Sequence, residues 1–215
     1  MTERPVLHSA WRASAPYRVR IALNLKGIAY DYAPVNLLEG EQREAAYQAV
    51  NPQRLVPALE VRGHVLIQSL AILEWLEETH PQPPLLPADP FDRATVRAMA
   101  GIIACDIHPL NNLRILKALA AMGQDEAARN EWVARWIGEG FDALEPLVAR
   151  HGQGWAFGAE PSIADCCLVP QVYNARRFGV DLGAWPAISS VADGAEAHPA
   201  FAAAHPNRQP DAPNA

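Results

Sequence analysis

A proline inside an apolar run constrains this chain more than any other single residue. Residues 56–59 read Val-Pro-Ala-Leu, and the ring of Pro57 removes a backbone N–H that a central strand would donate. The sequence therefore predicts a strand led by this proline, followed by a hairpin. A helix then begins at Gln68-Ser69, because the leucines of residues 70–76 recur at helical spacing.

This strand, hairpin and helix are suited to binding a short extended peptide. If the Val56–Pro57 bond is cis, the Val56 N–H and C=O face outward and can pair with a peptide main chain. The helix that begins at Ser69 offers unpaired N–H groups and its positive dipole end to a carboxylate. The alternatives are a trans bond, as in most X-Pro pairs, and a serine that only caps its helix.

Composition excludes several classes of function. The 215 residues are half hydrophobic, which allows one large domain or two small ones. The net charge of −6 argues against non-specific binding of nucleic acid, and no run of 18 apolar residues predicts a membrane helix. Three cysteines without metal-ligand spacing, and an N-terminus without an apolar signal core, predict reduced thiols, no metal site and a cytoplasmic location.

The first part of the chain alternates short strands and helices. The pattern predicts β-α-β-α-β-β-α, a small mixed sheet with helices on its faces. The predicted strands are residues 6–8, 30–35, 55–61 and 64–67, and the predicted helices are 17–26, 41–50 and 69–78.

The rest of the chain is predicted to be helical. Five prolines in residues 80–92 indicate a linker without regular structure. Beyond it, long helices are predicted at residues 94–106, 111–122, 125–147 and 163–178. The fold class is therefore α/β plus all-α, with a first domain at 1–80, a linker at 81–92 and a helical domain at 93–215.

Polar residues that can carry chemistry fall in two regions. Arg12 and Ser14 lie between the first strand and first helix, where an anion is favoured, although Ser14 can equally be a simple cap. A proline and two asparagines interrupt the helical pattern near His108 and Arg114, although a lone histidine is more often structural. The cysteines lie in helical segments without an electropositive setting, so any reactive thiol is expected to come from a bound cofactor.

Motifs along nearly the whole chain resemble one family. They are WRASAPYRVRIALNLKGI (11–28), NPQRLVPAL (51–59), IQSLAILEWLEE (67–78), CDIHPLNNLRIL (105–116), VPQVYNARRFGVDL (169–182) and HPNRQPDAP (205–213). The chain resembles zeta-class glutathione transferases, which include the maleylacetoacetate and maleylpyruvate isomerases. The resemblance implies a thioredoxin-like domain followed by a helical domain, glutathione as cofactor and a homodimer.

The resemblance also implies which residues bind. The residues for glutathione are Ser14, Val56, Gln68, Ser69, His108 and Asn112. Val56 pairs with the cysteinyl backbone, and Gln68 and Ser69 hold the γ-glutamyl carboxylate. The residues for a small dicarboxylate keto acid are Arg12, Arg114 and Arg177, with Arg177 preferred to Arg176 because it adjoins Phe178.

The implied reaction is cis–trans isomerisation of maleylpyruvate or maleylacetoacetate in aromatic-compound catabolism, with Ser14 and Arg12 as the catalytic residues. One departure from the family concerns the loop, which reads Ala13-Ser14-Ala15 and keeps a single hydroxyl where relatives have more polar residues. The alternatives are a general glutathione transferase acting on electrophiles or α-haloacids, and a glutathione-binding module without catalysis.

Overall fold

The computed structural model describes residues 4–213, which form two compact units. The first unit contains residues 4–85 together with residues 197–213, and the second contains Leu86–Glu196. Within residues 4–213, no helix combines the length and the apolar character needed to cross a membrane.

A four-stranded mixed sheet forms the centre of the first unit. Its strands are β1 (Val6–Ser9), β2 (Asp31–Pro34), β3 (Ala58–Val61) and β4 (His64–Ile67), in the order β2-β1-β3-β4. β1 is parallel to β2 and antiparallel to β3, which pairs with β4 in a hairpin. Arg62 and Gly63 turn this hairpin with positive φ angles of 51° and 75°, as two-residue turns require.

Helices α1 (Ser14–Leu25), α2 (Ala45–Val50) and α3 (Ser69–Thr79) complete the predicted β-α-β-α-β-β-α order. α1 is buried along most of its length, and it packs against α3 and against α9 (Pro199–Ala204). A helix surrounded in this way is usually apolar on every side. α1 nevertheless carries Arg18 and Arg20, whose exposed fractions are 1% and 0%.

All secondary-structure elements named in the second unit are helical. These are α4 (Pro90–Gly101), α5 (Leu113–Ala121), α6 (Glu126–His151), α7 (Ile163–Arg177) and α8 (Pro186–Ala195). A π-helical turn (Ile102–Ile107) and a 3-10 turn (His108–Asn111) join α4 to α5. α7 packs against α4 and α8, and the buried Cys166 and Cys167 lie on it.

Several boundaries differ from the sequence prediction. β3 begins only after Pro57, and the predicted helix at 41–50 is a 3-10 turn (Glu41–Arg43) followed by α2. α4 begins inside the predicted linker, because the Asp89 carboxylate caps it and Pro90 fits the first helical position.

The C-terminal part of the chain also differs. Helices α8 and α9 were not predicted, since each begins at a proline. Residues 197–213 pack with the first unit, whereas the predicted helical domain extended from 93 to 215.

Candidate active site

The first helix begins without a cap. Ala13 occupies the N-cap position, and no side chain accepts a hydrogen bond there. Within residues 4–213 the N–H groups of Ser14 and Ala15 donate to no acceptor, and the Ser14 hydroxyl has no partner. Ser14 is 4% exposed, so these donors lie in a sheltered position where an anion would be stabilised. Arg12 precedes them, with its guanidinium carbon 5.4 Å from the centre of the Trp11 ring.

The proline-led segment has the conformation that the peptide-binding prediction required. The Val56–Pro57 peptide bond is cis. The preceding carbonyl, that of Leu55, accepts hydrogen bonds from the Tyr47 hydroxyl and the Asn51 amide, each at 2.7 Å. By contrast, the Val56 N–H and C=O form no hydrogen bond with any described residue. A main-chain donor and acceptor are therefore available side by side.

Gln68 and Ser69 form the start of α3. Gln68 has a φ angle of 68°, a left-handed value that costs a non-glycine residue about 1–3 kcal/mol and is concentrated at ligand sites. Its side-chain amide donates to Gln53 Oε1 at 2.8 Å. Ser69 is 5% exposed, and its Oγ accepts a hydrogen bond from Arg18 Nη1 at 3.1 Å. Because the oxygen accepts, the hydroxyl proton remains available for a ligand carboxylate.

The uncapped starts of α1 and α3 are exceptional among the longer described helices. The other longer helices, α4 to α8, have side-chain acceptors at their first N–H groups, namely Asp89, Asn112, Asp125, Ser162 and Glu145. Free N–H groups at a helix start need an acceptor. In α1 and α3 no described residue supplies that acceptor, so these two helix starts are available to an anionic ligand.

The predicted residues of the second unit lie mainly in one segment. His108 opens the 3-10 turn, and Asn112 follows it as the N-cap of α5. Asn112 Oδ1 accepts the Arg114 N–H at 3.1 Å, so this oxygen is engaged in capping, while the Arg114 side chain is exposed. Asn111 was not predicted as a site residue. It is 5% exposed, and neither polar atom of its amide has a partner among the described residues.

The two arginines that end α7 have different environments. Arg176 forms ion pairs with Asp193 and with Glu196, the latter at 3.0 Å. Arg177 places its guanidinium carbon 4.4 Å from the centre of the Phe178 ring. Arg176 is thus engaged by two carboxylates of its own unit.

Sequence reasoning missed residues that hydrogen-bond to the site residues or to the loop beside them. Arg18 holds Ser69, and Arg20 and Asp211 hold the loop at Trp11. The signal for Arg18 and Arg20 was their presence in an otherwise apolar helix. Asp211 gave no local signal, because it lies 200 positions from Trp11.

Comparisons with known proteins show the family of this chain. The family profile described as glutathione S-transferase, N-terminal domain, matches residues 14–79, and the corresponding C-terminal domain profile matches residues 130–205. A maleylacetoacetate isomerase of Pseudomonas aeruginosa is 53% identical over 212 residues, covering 97% of this chain and 99% of its own.

Solved structures give the same result. A holo structure of a maleylpyruvate isomerase, a bacterial zeta-class glutathione S-transferase, superposes with a TM-score of 0.95 at 51% identity, covering 96% of this chain and 99% of its own. A maleylacetoacetate isomerase from Anaeromyxobacter dehalogenans 2CP-1, solved with dicarboxyethyl glutathione and citrate in its active site, has a TM-score of 0.89 at 45% identity, covering 99% of this chain and 100% of its own. The predicted fold class is confirmed. The chain belongs to the glutathione S-transferase family, in the zeta class that includes the maleylacetoacetate and maleylpyruvate isomerases.

Proposed function

We propose that this protein is a glutathione-dependent cis–trans isomerase of a maleyl-substituted keto acid, maleylpyruvate or maleylacetoacetate. The observation that carries the proposal is the unpaired Val56 main chain in a unit whose α1 and α3 both begin without a cap. A tripeptide with a thiolate and a carboxylate fits these three features. Its main chain needs one strand-like partner, as Val56 offers, and its two anionic groups need two anion sites, as the starts of α1 and α3 offer.

Three groups of the first unit would hold glutathione. The Val56 N–H and C=O pair with its cysteinyl main chain, and Gln68, Ser69 and the start of α3 hold its γ-glutamyl carboxylate. The Ser14 hydroxyl and the start of α1 stabilise its sulfur as a thiolate, lowering the thiol pKa as helix N-termini do. When bound, glutathione supplies the sulfur that adds reversibly to the double bond, which allows rotation and returns the cofactor unchanged.

The arginines supply the charge that the substrate requires. A protein of net charge −6 needs local cations to attract a dianion. We assign this role to Arg12 in the first unit and to Arg114 and Arg177 in the second, because planar guanidinium groups pair with carboxylates in two-point contacts. Arg12 adjoins the thiolate position and is the arginine assigned to the reacting part of the substrate. His108 and Asn112 are also assigned to glutathione, and the Asn112 amide NH2 is not engaged in capping α5.

Ala13 and Ala15 flank the single hydroxyl of the loop. With no other polar side chain at that point, Ser14 and two main-chain N–H groups must stabilise the sulfur together. We propose that this set stabilises the thiolate, because electrostatic stabilisation by fixed donors is usually the largest contribution to such catalysis.

We also propose that the protein is a cytoplasmic homodimer. Val65 and Ile67 lie on the edge strand β4 and are 43% and 36% exposed, and a second copy would cover them. The three cysteines are all free thiols, which fits a reducing compartment. Light scattering measures the dimer directly, and Val65→Lys is expected to shift it toward monomer.

Turnover with limiting glutathione tests the function. Maleylpyruvate and, separately, maleylacetoacetate are mixed with enzyme and a small fraction of one equivalent of glutathione. Conversion of many equivalents of cis acid, with glutathione recovered, is the expected result. Stoichiometric loss of glutathione would instead indicate a transferase, and binding without conversion a module without catalysis. The acid that is converted with the higher kcat/KM is the preferred substrate.

Arginine variants test the assignment of the two sites. Arg12→Ala and Arg114→Ala are expected to raise KM for the dianion about tenfold or more, because each removes a charge-assisted hydrogen bond. The Kd for glutathione should stay unchanged. Arg135→Ala removes an exposed arginine of α6 and serves as control. Weaker glutathione binding in the Arg12 or Arg114 variant would mean that this arginine binds glutathione, and that its assignment to the dianion is wrong.

A further inference from the structure

The peptide groups on either side of Trp11 are held by two charged residues. The Trp11 N–H donates to Asp211 Oδ2 at 3.0 Å, and the Trp11 C=O accepts from Arg20 Nη2 at 2.9 Å. Trp11 immediately precedes Arg12 and lies three residues before Ser14. The main chain that leads into the candidate site is therefore fixed through its donor and its acceptor.

Asp211 is itself held in place. Its Oδ1 accepts a hydrogen bond from the Tyr32 hydroxyl at 2.6 Å, while Oδ2 accepts from Trp11. Burial and this hydrogen bond raise the pKa of Tyr32, so the phenol stays a donor throughout the physiological range. One carboxylate of the C-terminal segment thus joins β2 to the loop after β1.

Arg20 joins the same loop to the C-terminal segment from the opposite side. It is fully buried, and its Nε and Nη1 donate to the Ala204 carbonyl and to Ser9 Oγ, each at 3.0 Å. Its guanidinium carbon lies 5.1 Å from the centre of the Tyr17 ring. Buried charges require such partners, and Arg20 uses all three of its nitrogens to connect strand, loop and C-terminal helix.

The segment that carries Asp211 is folded back on itself. Gln209 is 4% exposed, and its side-chain amide donates to the Ala203 carbonyl at 3.0 Å and to the His205 carbonyl at 2.9 Å. The Ala212 N–H then donates to the Gln209 carbonyl at 3.0 Å. These bonds fix where Asp211 lies relative to α9, so its carboxylate is presented to Trp11 in a defined position.

We propose that Asp211 and Arg20 are positioning residues, and that together they clamp the Trp11 peptide so that Arg12 and Ser14 meet their ligands. The inference rests on the proposed roles of Arg12 and Ser14. Neither clamp residue touches the ligands in this scheme. Each acts by restricting the loop between β1 and α1, which has no side-chain cap to restrain it.

The clamp should matter for rate more than for folding. Without Asp211, the Trp11 N–H loses its acceptor and the loop gains freedom directly before the uncapped start of α1. Misplacement of a reacting group by about 1 Å costs about 100-fold in rate. The thiolate would also meet poorly aligned N–H groups, which raises the pKa of the bound thiol.

The experiment uses the full chain with Asp211→Ala, Asp211→Asn and Tyr32→Phe. Asp211→Ala is expected to lower kcat/KM by about 10- to 100-fold and to raise the pKa of enzyme-bound glutathione, followed by thiolate absorbance, by about half a unit. Asp211→Asn should restore most of the activity, because the amide oxygen can accept from Trp11 while its NH2 donates to Tyr32. Tyr32→Phe leaves the Trp11 bond intact and should cost less than Asp211→Ala.

Two controls separate the possible failures. Asp31→Ala removes an exposed aspartate of the same unit and should leave the kinetics unchanged. Ser14→Ala reports on the site itself. If Ser14→Ala impairs turnover while Asp211→Ala leaves both kcat/KM and the thiol pKa unchanged, the clamp is refuted and the site stands. If Ser14→Ala and Arg12→Ala are both silent, the site assignment fails, and the clamp as a device for that site fails with it.

Discussion

The buried ion pair between Lys26 and Glu77 gives the sharpest test of what holds the first unit together. Lys26 Nζ donates to Glu77 Oε2 and to the Pro83 carbonyl, each at 2.6 Å, and the Leu85 N–H donates to the same carboxylate oxygen at 2.9 Å. The two side chains are 0% and 8% exposed. The pair therefore ties the ends of α1 and α3 to the proline-rich segment that follows.

Lys26→Met removes the ammonium and keeps an apolar side chain of similar length. The Glu77 carboxylate is then left without its buried counter-ion, which costs about 3–5 kcal/mol of unfolding free energy. Glu77→Met should cost a similar amount for the converse reason. In the double variant no charge is stranded, but the Pro83 carbonyl and the Leu85 N–H still lose their partners at about 1–3 kcal/mol each. The double variant should therefore cost about as much as one single variant, and well below their sum.

Urea unfolding, followed by far-ultraviolet circular dichroism and tryptophan fluorescence, measures these differences. With a slope of about 2–3 kcal/mol per molar, Lys26→Met should lower the midpoint by about 1–2 M. Arg135→Met breaks the exposed pair with Glu139 and should change stability by less than about 0.5 kcal/mol. A double variant as unstable as the sum of the two singles would refute the reasoning, since the two charges would then act independently.

Three further predictions concern single residues. Burial raises the pKa of Asp165 from 3.8 to about 6, so between these pH values the native state keeps a proton that the unfolded state has lost. The free energy of unfolding should therefore fall by about 3 kcal/mol as pH rises from about 4 to about 6. Asp165→Asn should abolish this pH dependence in urea midpoints measured from pH 4 to pH 7. Tyr47→Phe removes one of two donors to the Leu55 carbonyl and should raise KM for glutathione several-fold by steady-state assay, leaving KM for the acid unchanged. Arg177→Ala should raise KM for the dianion about tenfold or more, whereas Arg176→Ala, which breaks only surface pairs, should leave KM unchanged.

Local rules predicted the first unit well. The proline leading β3 and the hairpin after it were predicted from the residues themselves, and the order of strands and helices followed from short apolar runs. The residues left the bond before Pro57 open between cis and trans, and the structure has it cis. The start of α3 at Ser69 was predicted to the residue, because the leucine spacing begins there.

Features that depend on distant partners could not be read from the sequence. The π-helical turn at Ile102–Ile107 contains no glycine or proline, and it occurs where α6 comes so close that a Cβ on Gly140 would lie 2.2 Å from Ile107. The linker prediction failed at Pro90 because the capping by Asp89 outweighed the abundance of prolines. Asp211 was invisible for the same reason, since its role depends on folding across the whole chain.

The bond between Trp11 and Asp211 has a consequence for synthesis on the ribosome. Its two residues are 200 positions apart, and all of the second unit lies between them. At about 5–20 residues per second, the nascent chain waits roughly 10–40 seconds between making the first residue and making the second. During that interval the loop lacks its last restraint. A chain that is released early, or nicked near its end by a protease, would keep most of its core and yet lack an ordered reaction centre.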